Sequence, residues 1–276
     1  MSRAPFLVAA SLSGAADAEW AKRAADRVDV ALLGGVALDP ASRAAARDLV
    51  ARGRSEFLPA DPLAFVANQL DAVADADAPV RPGINVRSAT VEPVREVAAV
   101  CADRGAVCEV NAHCRQPELR AVGCGESLLR EPDRLARYVA AAAETGATTS
   151  VKVRAGVPGV DLVAVAEAAA AAGADWLHVD AMDSEPVIAA LAAGRARAAP
   201  SGDDPLADLT LVANNGVRGR ETVAEYAAHG ADAVSVGRPT EDPPVLARVA
   251  DAVEAWRAGT LGERAGEAGS GPEARP

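Results

Sequence analysis

AAAGADWLHV, residues 170–179, ends an alanine-rich helical pattern, breaks at Gly173 and passes through Ala-Asp straight into an apolar strand. The same order returns as AAHGADAVSV (227–236), and ETGATTSVKV (144–153) is a looser third copy. In each, glycine supplies the left-handed cap that ends a helix. A helix–glycine–strand unit used again and again is how a parallel sheet is written, because parallel strands need crossover helices between them.

Working outward from these junctions, eight strand-like runs are found: FLVAAS (6–11), VDVALLGG (28–35), VRPGINV (80–86), VCEVNAH (107–113), TSVKVRAG (149–156), DWLHVDAM (175–182), LTLVANNG (209–216) and AVSVGR (233–238). Helical patterns fall between them, near 17–27, 41–52 with 61–76, 90–104, 132–145, 160–172, 185–194, 219–229 and 243–257. Eight strand–helix units in one chain of this size predict a single (β/α)8 TIM barrel over residues 1–258. A doubly wound open sheet is the rival, and it rarely uses all eight strands without a break. From residue 259 to 276 the chain is rich in Gly, Ala, Glu and Pro and has no apolar period, so a disordered acidic tail is expected there.

Composition narrows the class. The chain has 28 basic against 39 acidic residues, a net charge of −11, and only two lysines, Lys22 and Lys152. Such an acid-rich, lysine-poor surface resembles those of salt-adapted archaeal proteins, which stay hydrated by their carboxylates. It argues against general phosphate-backbone binding while leaving room for a local basic patch. With three Phe, two Tyr and three Trp, the core must be built from Ala, Val and Leu. The four cysteines (101, 108, 114 and 124) lack Cys-x-x-Cys spacing, which speaks against a zinc ribbon or a disulfide scaffold and for a reducing compartment. No signal-peptide pattern opens the sequence and no uncharged apolar run reaches membrane-spanning length, so a soluble cytoplasmic protein with no membrane partner is expected.

Barrel enzymes collect their chemistry where strands end. Here those ends offer Ser11–Ser13, Gly34–Gly35, Asn85–Arg87, Asn111–Cys114, Lys152–Arg154, His178–Asp180, Asn214–Gly216 and Gly237–Arg238. In the last two units, NNGVRGRE and GRPTEDP supply Gly216, Gly219 and Gly237 with Arg238, the makings of a phosphate cradle; plain turns are the competing reading. Lys152 sits mid-strand in VKVRAG, where an ammonium is costly unless it meets an anion or does chemistry, although a snorkelling lysine would look the same. Cysteine is usually a small buried apolar residue, and Cys101 and Cys108 fit that role. Cys114, flanked by His113, Arg115 and Gln116, reads instead as a thiol whose acidity its neighbours could tune. His178 reads equally well as a core imidazole or a functional one. His229 looks structural, and Asp180 and Asp183 would bind a ligand or cap a helix. No metal-ligand cluster is expected.

These motifs together resemble the tRNA-dihydrouridine synthases, flavin mononucleotide (FMN)-dependent TIM-barrel oxidoreductases. In NAHCRQPELRAVGCGESLLREP the family pattern, Asn-x-x-Cys followed by Gly, Leu-Leu and Pro, falls on Asn111, Cys114, Gly125, Leu128, Leu129 and Pro132. VKVRAG resembles the family's lysine-bearing fifth strand, LVANNGV its seventh, AVSVGRP its eighth and ASLSGAAD (10–17) its flavin-floor segment, so the likeness runs from about residue 6 to 245. It implies FMN held by Ser11, Asn85, Asn111, Lys152, Asn215, Gly216, Gly237 and Arg238. It implies catalytic roles for Lys152, at the flavin, and for Cys114, as the acid that protonates C5 of a uracil. NAD(P)H is implied as electron donor and a uracil-containing substrate, in tRNA or free, as partner.

The departures are specific. The family's Cys-Pro is Cys114-Arg115, its Gly before Cys is His113, its His after strand six falls on Asp180, and its first-strand Pro is Ser11. The C-terminal helical domain that grips tRNA in the synthases has no counterpart in the quoted motifs, so the likeness is closest to a compact archaeal branch. An RNA substrate would need an arginine rim, for which Arg87, Arg115, Arg120 and Arg218 stand ready. Three other readings remain open from sequence: a flavoprotein like dihydroorotate dehydrogenase, a non-redox lyase or isomerase on a phosphate ligand using Lys152, and a flavin-binding protein whose chemistry has degenerated with the loss of the strand-six His.

Overall fold

The computed structural model describes residues 4–75, 79–181, 184–198 and 204–262; Asp183 and the expected tail beyond 262 lie outside the described residues. Eight parallel strands close into a barrel in chain order. They are β1 (Phe6–Ala9), β2 (Val30–Ala37), β3 (Arg81–Arg87), β4 (Val107–Asn111), β5 (Thr148–Arg154), β6 (Trp176–Asp180), β7 (Thr210–Asn214) and β8 (Ala233–Val236), with β8 pairing back onto β1. The barrel expected from the alternating pattern is the one found, and the open-sheet rival is excluded by that closing pair.

The outer ring is α1 (Ala18–Ala24), α2 (Pro40–Ala51), α3 (Pro62–Ala74), α4 (Glu92–Ala102), α5 (Pro117–Ala121), α6 (Pro132–Ala143), α7 (Leu162–Ala171), α8 (Pro186–Ala198), α9 (Arg220–Ala228) and α10 (Pro243–Arg257). Local chemistry sets their starts. Asp39, Asp61, Asp161 and Asp242 each accept backbone N–H groups at a helix N-terminus, and in three of the four a Pro with a pre-set φ follows. The short α5 lies inside the polar, glycine-bearing stretch after β4, where five residues carry too little periodicity to be read as a helix. Strand β2 runs past the expected Gly34–Gly35 end, with its register shifting between Gly34 and Val36.

Two packing zones follow from the two-residue period of the strands. Outward side chains such as Val110, Val151, Val153, Leu177 and Val179 join helix residues in one large Ala/Val/Leu cluster. Inward, Val8, Val30, Leu32, Val107, Trp176, Val212 and Ala233 form a separate plug nearer the strand starts, with Phe6 against it and the Phe6 and Trp176 rings 5.1 Å apart. Further along, the same inward rows turn polar: Glu109 and Asn111, Ser150 and Lys152, His178 and Asp180, and Ser235 are all buried. The plug closes one end of the barrel, and the polar end carries the site.

Candidate active site

The polar end opens into a cavity of about 420 Å³ lined by the ends of β1, β5, β6, β7 and β8, the loops after them and the loop after β4. Ser11, Lys152, Asn215, Gly216, Gly237 and Arg238 all line it, so six of the residues picked from sequence share one cup. Asn215 and Gly216 both adopt the left-handed conformation (φ 86° and 68°), turning the chain sharply after β7. The Tyr226 hydroxyl donates to the Asn215 carbonyl at 2.9 Å and fixes that turn from α9.

The electrostatics of the cup oppose those of the whole chain. Arg115, Lys152, Arg154, Arg218 and Arg238 line it, against Asp180 as its carboxylate. Among the described residues, Arg115, Lys152, Arg218 and Arg238 make no ion pair. Lys152 is the telling one: it is 5% exposed and faces the cavity, and its ammonium has no hydrogen bond among the described residues. Burial pushes its pKa down, and Glu109 and Asp180 pull only part of the way back. A desolvated ammonium aimed at a cup is placed to meet an electron-rich ligand.

Beneath the cup runs a continuous buried network. Asn111 Nδ2 donates to Asn85 Oδ1 (2.9 Å), and Asn85 Nδ2 donates to Glu109 Oε1 (2.7 Å). Glu109 Oε2 accepts from Ser150 (3.0 Å) and contacts His178 Nδ1 at 2.7 Å, while His178 Nε2 reaches Ser235 Oγ at 2.7 Å. Asn214 Nδ2 closes the chain by donating to Ser235 Oγ at 2.7 Å. Burial alone would raise the Glu109 pKa, but His178, Lys152 and the Asn85 amide outweigh it and hold the carboxyl down at about 2. His178 is pushed down by burial and by Lys152, with Glu109 pulling it back up.

Asn85 and Asn111 therefore support the site from below and do not line the cavity. Asn111 also accepts the backbone N–H groups of His113 (3.2 Å) and Cys114 (2.9 Å), which shapes the turn after β4. That turn explains the spacing of the motif. Gly125 has φ 64°, and a Cβ there would stand 2.1 Å from the Cys114 carbonyl oxygen, which accepts from Glu126 N at 2.9 Å. Glu126 in turn pairs with Arg154 (2.6 Å) and Arg120 (3.1 Å), tying this loop to the end of β5.

Cys114 differs from expectation. Its side chain is half-buried against Ala45, Leu49, Leu119 and Cys124, a satellite cluster under α2 and α5, and it is not among the residues lining the cavity. The loop residue that reaches the cup is His113, whose Nε2 lies 2.5 Å from Asp180 Oδ2. Arg87 and Arg120, named for an RNA rim, are likewise occupied elsewhere: Arg87 is buried on Glu56 (2.5 Å) and Ser13 (2.8 Å), and Arg120 sits on Glu126. Arg115 and Arg218 do stand at the cup. Sequence reasoning missed Glu109. The signal was present, since one acidic residue interrupts the apolar run VCEV two positions before Asn111, on the same face.

The residues fit FMN. Glycine-bearing loops after β7 and β8 with Arg238 suit a phosphate, and the lone Lys152 ammonium suits the electron-rich isoalloxazine. Among the described residues there is no cluster suited to a metal ion and no helix long and apolar enough to cross a membrane.

Comparison with known proteins gives a consistent picture. A family model described as dihydrouridine synthase matches residues 66–260. An uncharacterized protein of Methanocaldococcus jannaschii is 27% identical over 150 residues, 54% of this chain and 57% of its own length, so the match spans little more than half of that relative. Among solved structures, FabK from Thermotoga maritima, solved as a mutant, superposes with a TM-score of 0.52 at 12% identity over 86% of this chain and 61% of its own. The Eimeria tenella DHODH, in complex with ferulenol, gives 0.59 at 16% identity over 90% and 80%. At these identities the structural matches speak to the barrel alone.

Proposed function

The chain belongs to the dihydrouridine synthase family, and from that membership we propose that it is an FMN-dependent oxidoreductase reducing the C5–C6 double bond of a uracil ring. Lys152 carries the reading: a buried ammonium with no hydrogen bond among the described residues faces a cup that also gathers Ser11, Asn215, Gly216, Gly237 and Arg238.

Bound FMN would supply the hydride, with NAD(P)H as the electron source. The chain's own residues do the rest. Arg238 and the backbone at Asn215, Gly216 and Gly237 would hold the phosphate, and Ser11 would border the ring system at the end of β1. Lys152 would favour added negative charge on the isoalloxazine, an effect that is strong because the site is desolvated. The Asn85–Glu109–His178–Ser235–Asn214 network holds the floor rigid, so these groups keep their aim without reorganising.

Arg115 and Arg218, unpaired at the mouth among the described residues, would meet the phosphates of an RNA substrate, which favours uracil in tRNA over a free pyrimidine. The free thiols Cys101, Cys108, Cys114 and Cys124 suit a reducing, cytoplasmic setting. The test is the dihydrouridine content of tRNA from cells with and without the gene. Loss of dihydrouridine at a defined position supports the reading, and identical tRNA in the two strains removes tRNA as the substrate.

A further inference from the structure

We propose that His113, oriented by Asp180, is the proton-transfer residue of this cup, in the role that the family resemblance gives to the thiol of Cys114. The inference rests on the uracil-reducing reading above and adds to it the identity of the acid.

Geometry separates the two neighbours. Asn111 shapes a turn that sends His113 to the cavity and leaves Cys114 packed on Ala45, Leu49, Leu119 and Cys124. The imidazole is held firmly, with Nε2 2.5 Å from Asp180 Oδ2, while Asp180 Oδ1 accepts from Asn215 Nδ2 at 3.1 Å. With Nε2–H given to a carboxylate, Nδ1 has no hydrogen-bond partner among the described residues and is the nitrogen open to a ligand. An acidic residue that fixes tautomer and orientation while stabilising the imidazolium is a recurring arrangement for a proton-transfer histidine. It also accounts for two of the departures from the family pattern together. The histidine expected after strand six is an aspartate, and a histidine has come in from the loop after strand four to meet it.

The charged groups facing His113 are Asp180 and His178 from β6 and Lys152 and Arg154 from β5, with Arg115 on its own loop. Burial pushes the His113 pKa down, Asp180 raises it, and Lys152 and Arg154 lower it further. Such an imidazolium releases its proton readily. Reduced FMN, when bound, would supply the hydride to uracil C6, and the C5–C6 π pair would become a C5–H bond with the proton from Nδ1. The imidazolium becomes neutral imidazole and recovers a proton from solvent.

The test uses the full chain reconstituted with FMN and reduced, mixed with an unmodified tRNA transcript and, in parallel, with free uracil. Flavin reoxidation is followed against pH, and the imidazole resonances are titrated by NMR. His113→Asn should bind FMN as the parent does and reoxidise on substrate at least about 100-fold more slowly, while Cys114→Ala stays near the parent rate. The parent rate should fall as pH rises through the His113 pKa. In Asp180→Asn that limb and the NMR titration of His113 should both move to lower pH, a coupling that a purely structural role would not produce. A parent-like rate in His113→Asn, a dead Cys114→Ala, or an unmoved His113 titration in Asp180→Asn overturns the assignment alone. A parent protein that binds FMN but reoxidises on neither substrate overturns the uracil reading and takes this assignment with it.

Discussion

Inside the barrel His178 Nδ1 and Glu109 Oε2 lie 2.7 Å apart, both fully buried and both electrostatically coupled to Lys152. The pair keeps a charged carboxylate beneath a cavity whose own lining is cationic. Glu109 partly offsets the cost of desolvating Lys152, while the cup stays positive enough to attract an anionic ligand.

Glu109→Gln should therefore destabilise the fold by about 3–5 kcal/mol, because it leaves the Lys152 ammonium without its buried counter-charge and disturbs the carboxylate's hydrogen bonds with Asn85, Ser150 and His178. The pH dependence has a definite sign. Glu109 is held at about 2 in the folded chain against 4.5 ordinarily, so its contribution is complete above about 4.5 and fades as pH falls towards 2. Thermal melts of both proteins across that range should show the gap between them closing as acid is added. His113 and His178, both lowered from 6.5, make the parent lose stability from about pH 6.5 downward, since the unfolded chain takes up their protons first.

Lys152→Met should behave in the opposite way. It removes a desolvated charge that has no hydrogen bond among the described residues, so the melting temperature should hold or rise. Flavin-dependent turnover should fall by about 100-fold or more, the usual scale for removing one preorganised electrostatic group. Calorimetry beside a reoxidation assay checks both halves.

Arg238→Ala should weaken FMN retention by about 1.5–3 kcal/mol, the scale of one charge-assisted contact. The residue is exposed and makes no ion pair among the described residues, so the fold should be unaffected. Titration of flavin fluorescence measures this directly. An unchanged affinity would move the phosphate elsewhere in the cup.

Gly125→Ala should cost about 1–3 kcal/mol from its left-handed backbone alone. More follows from the clash with the Cys114 carbonyl, which must release Glu126 N. Because Glu126 anchors Arg154, a cavity residue, turnover should fall along with the melting temperature.

The barrel was legible because its signals are local and repeated. Gly173 and Gly230 cap α7 and α9 just before β6 and β8, and Asp-Pro pairs open helices at Asp39, Asp61 and Asp242. The cationic half of the site was legible for a related reason: Lys152 lies within β5, Asn215, Gly216, Gly237 and Arg238 follow close after their strands, and barrel closure brings strand ends together. The loop after β4 was harder. Whether His113 or Cys114 faces inward depends on the Asn111 side chain and on the approach of Gly125, contacts made across the turn and invisible to spacing. For Asn85 the family resemblance implies a flavin contact, whereas its amide donates to Glu109 on the next strand, and a strand read by itself does not show which neighbour satisfies such a side chain.

The absorption spectrum of the purified chain, as isolated or after incubation with FMN and desalting, bears most directly on this account. It should show the flavin bands at one FMN per chain, diminished in Arg238→Ala. A colourless protein that retains no FMN would contradict the assignment of the cup.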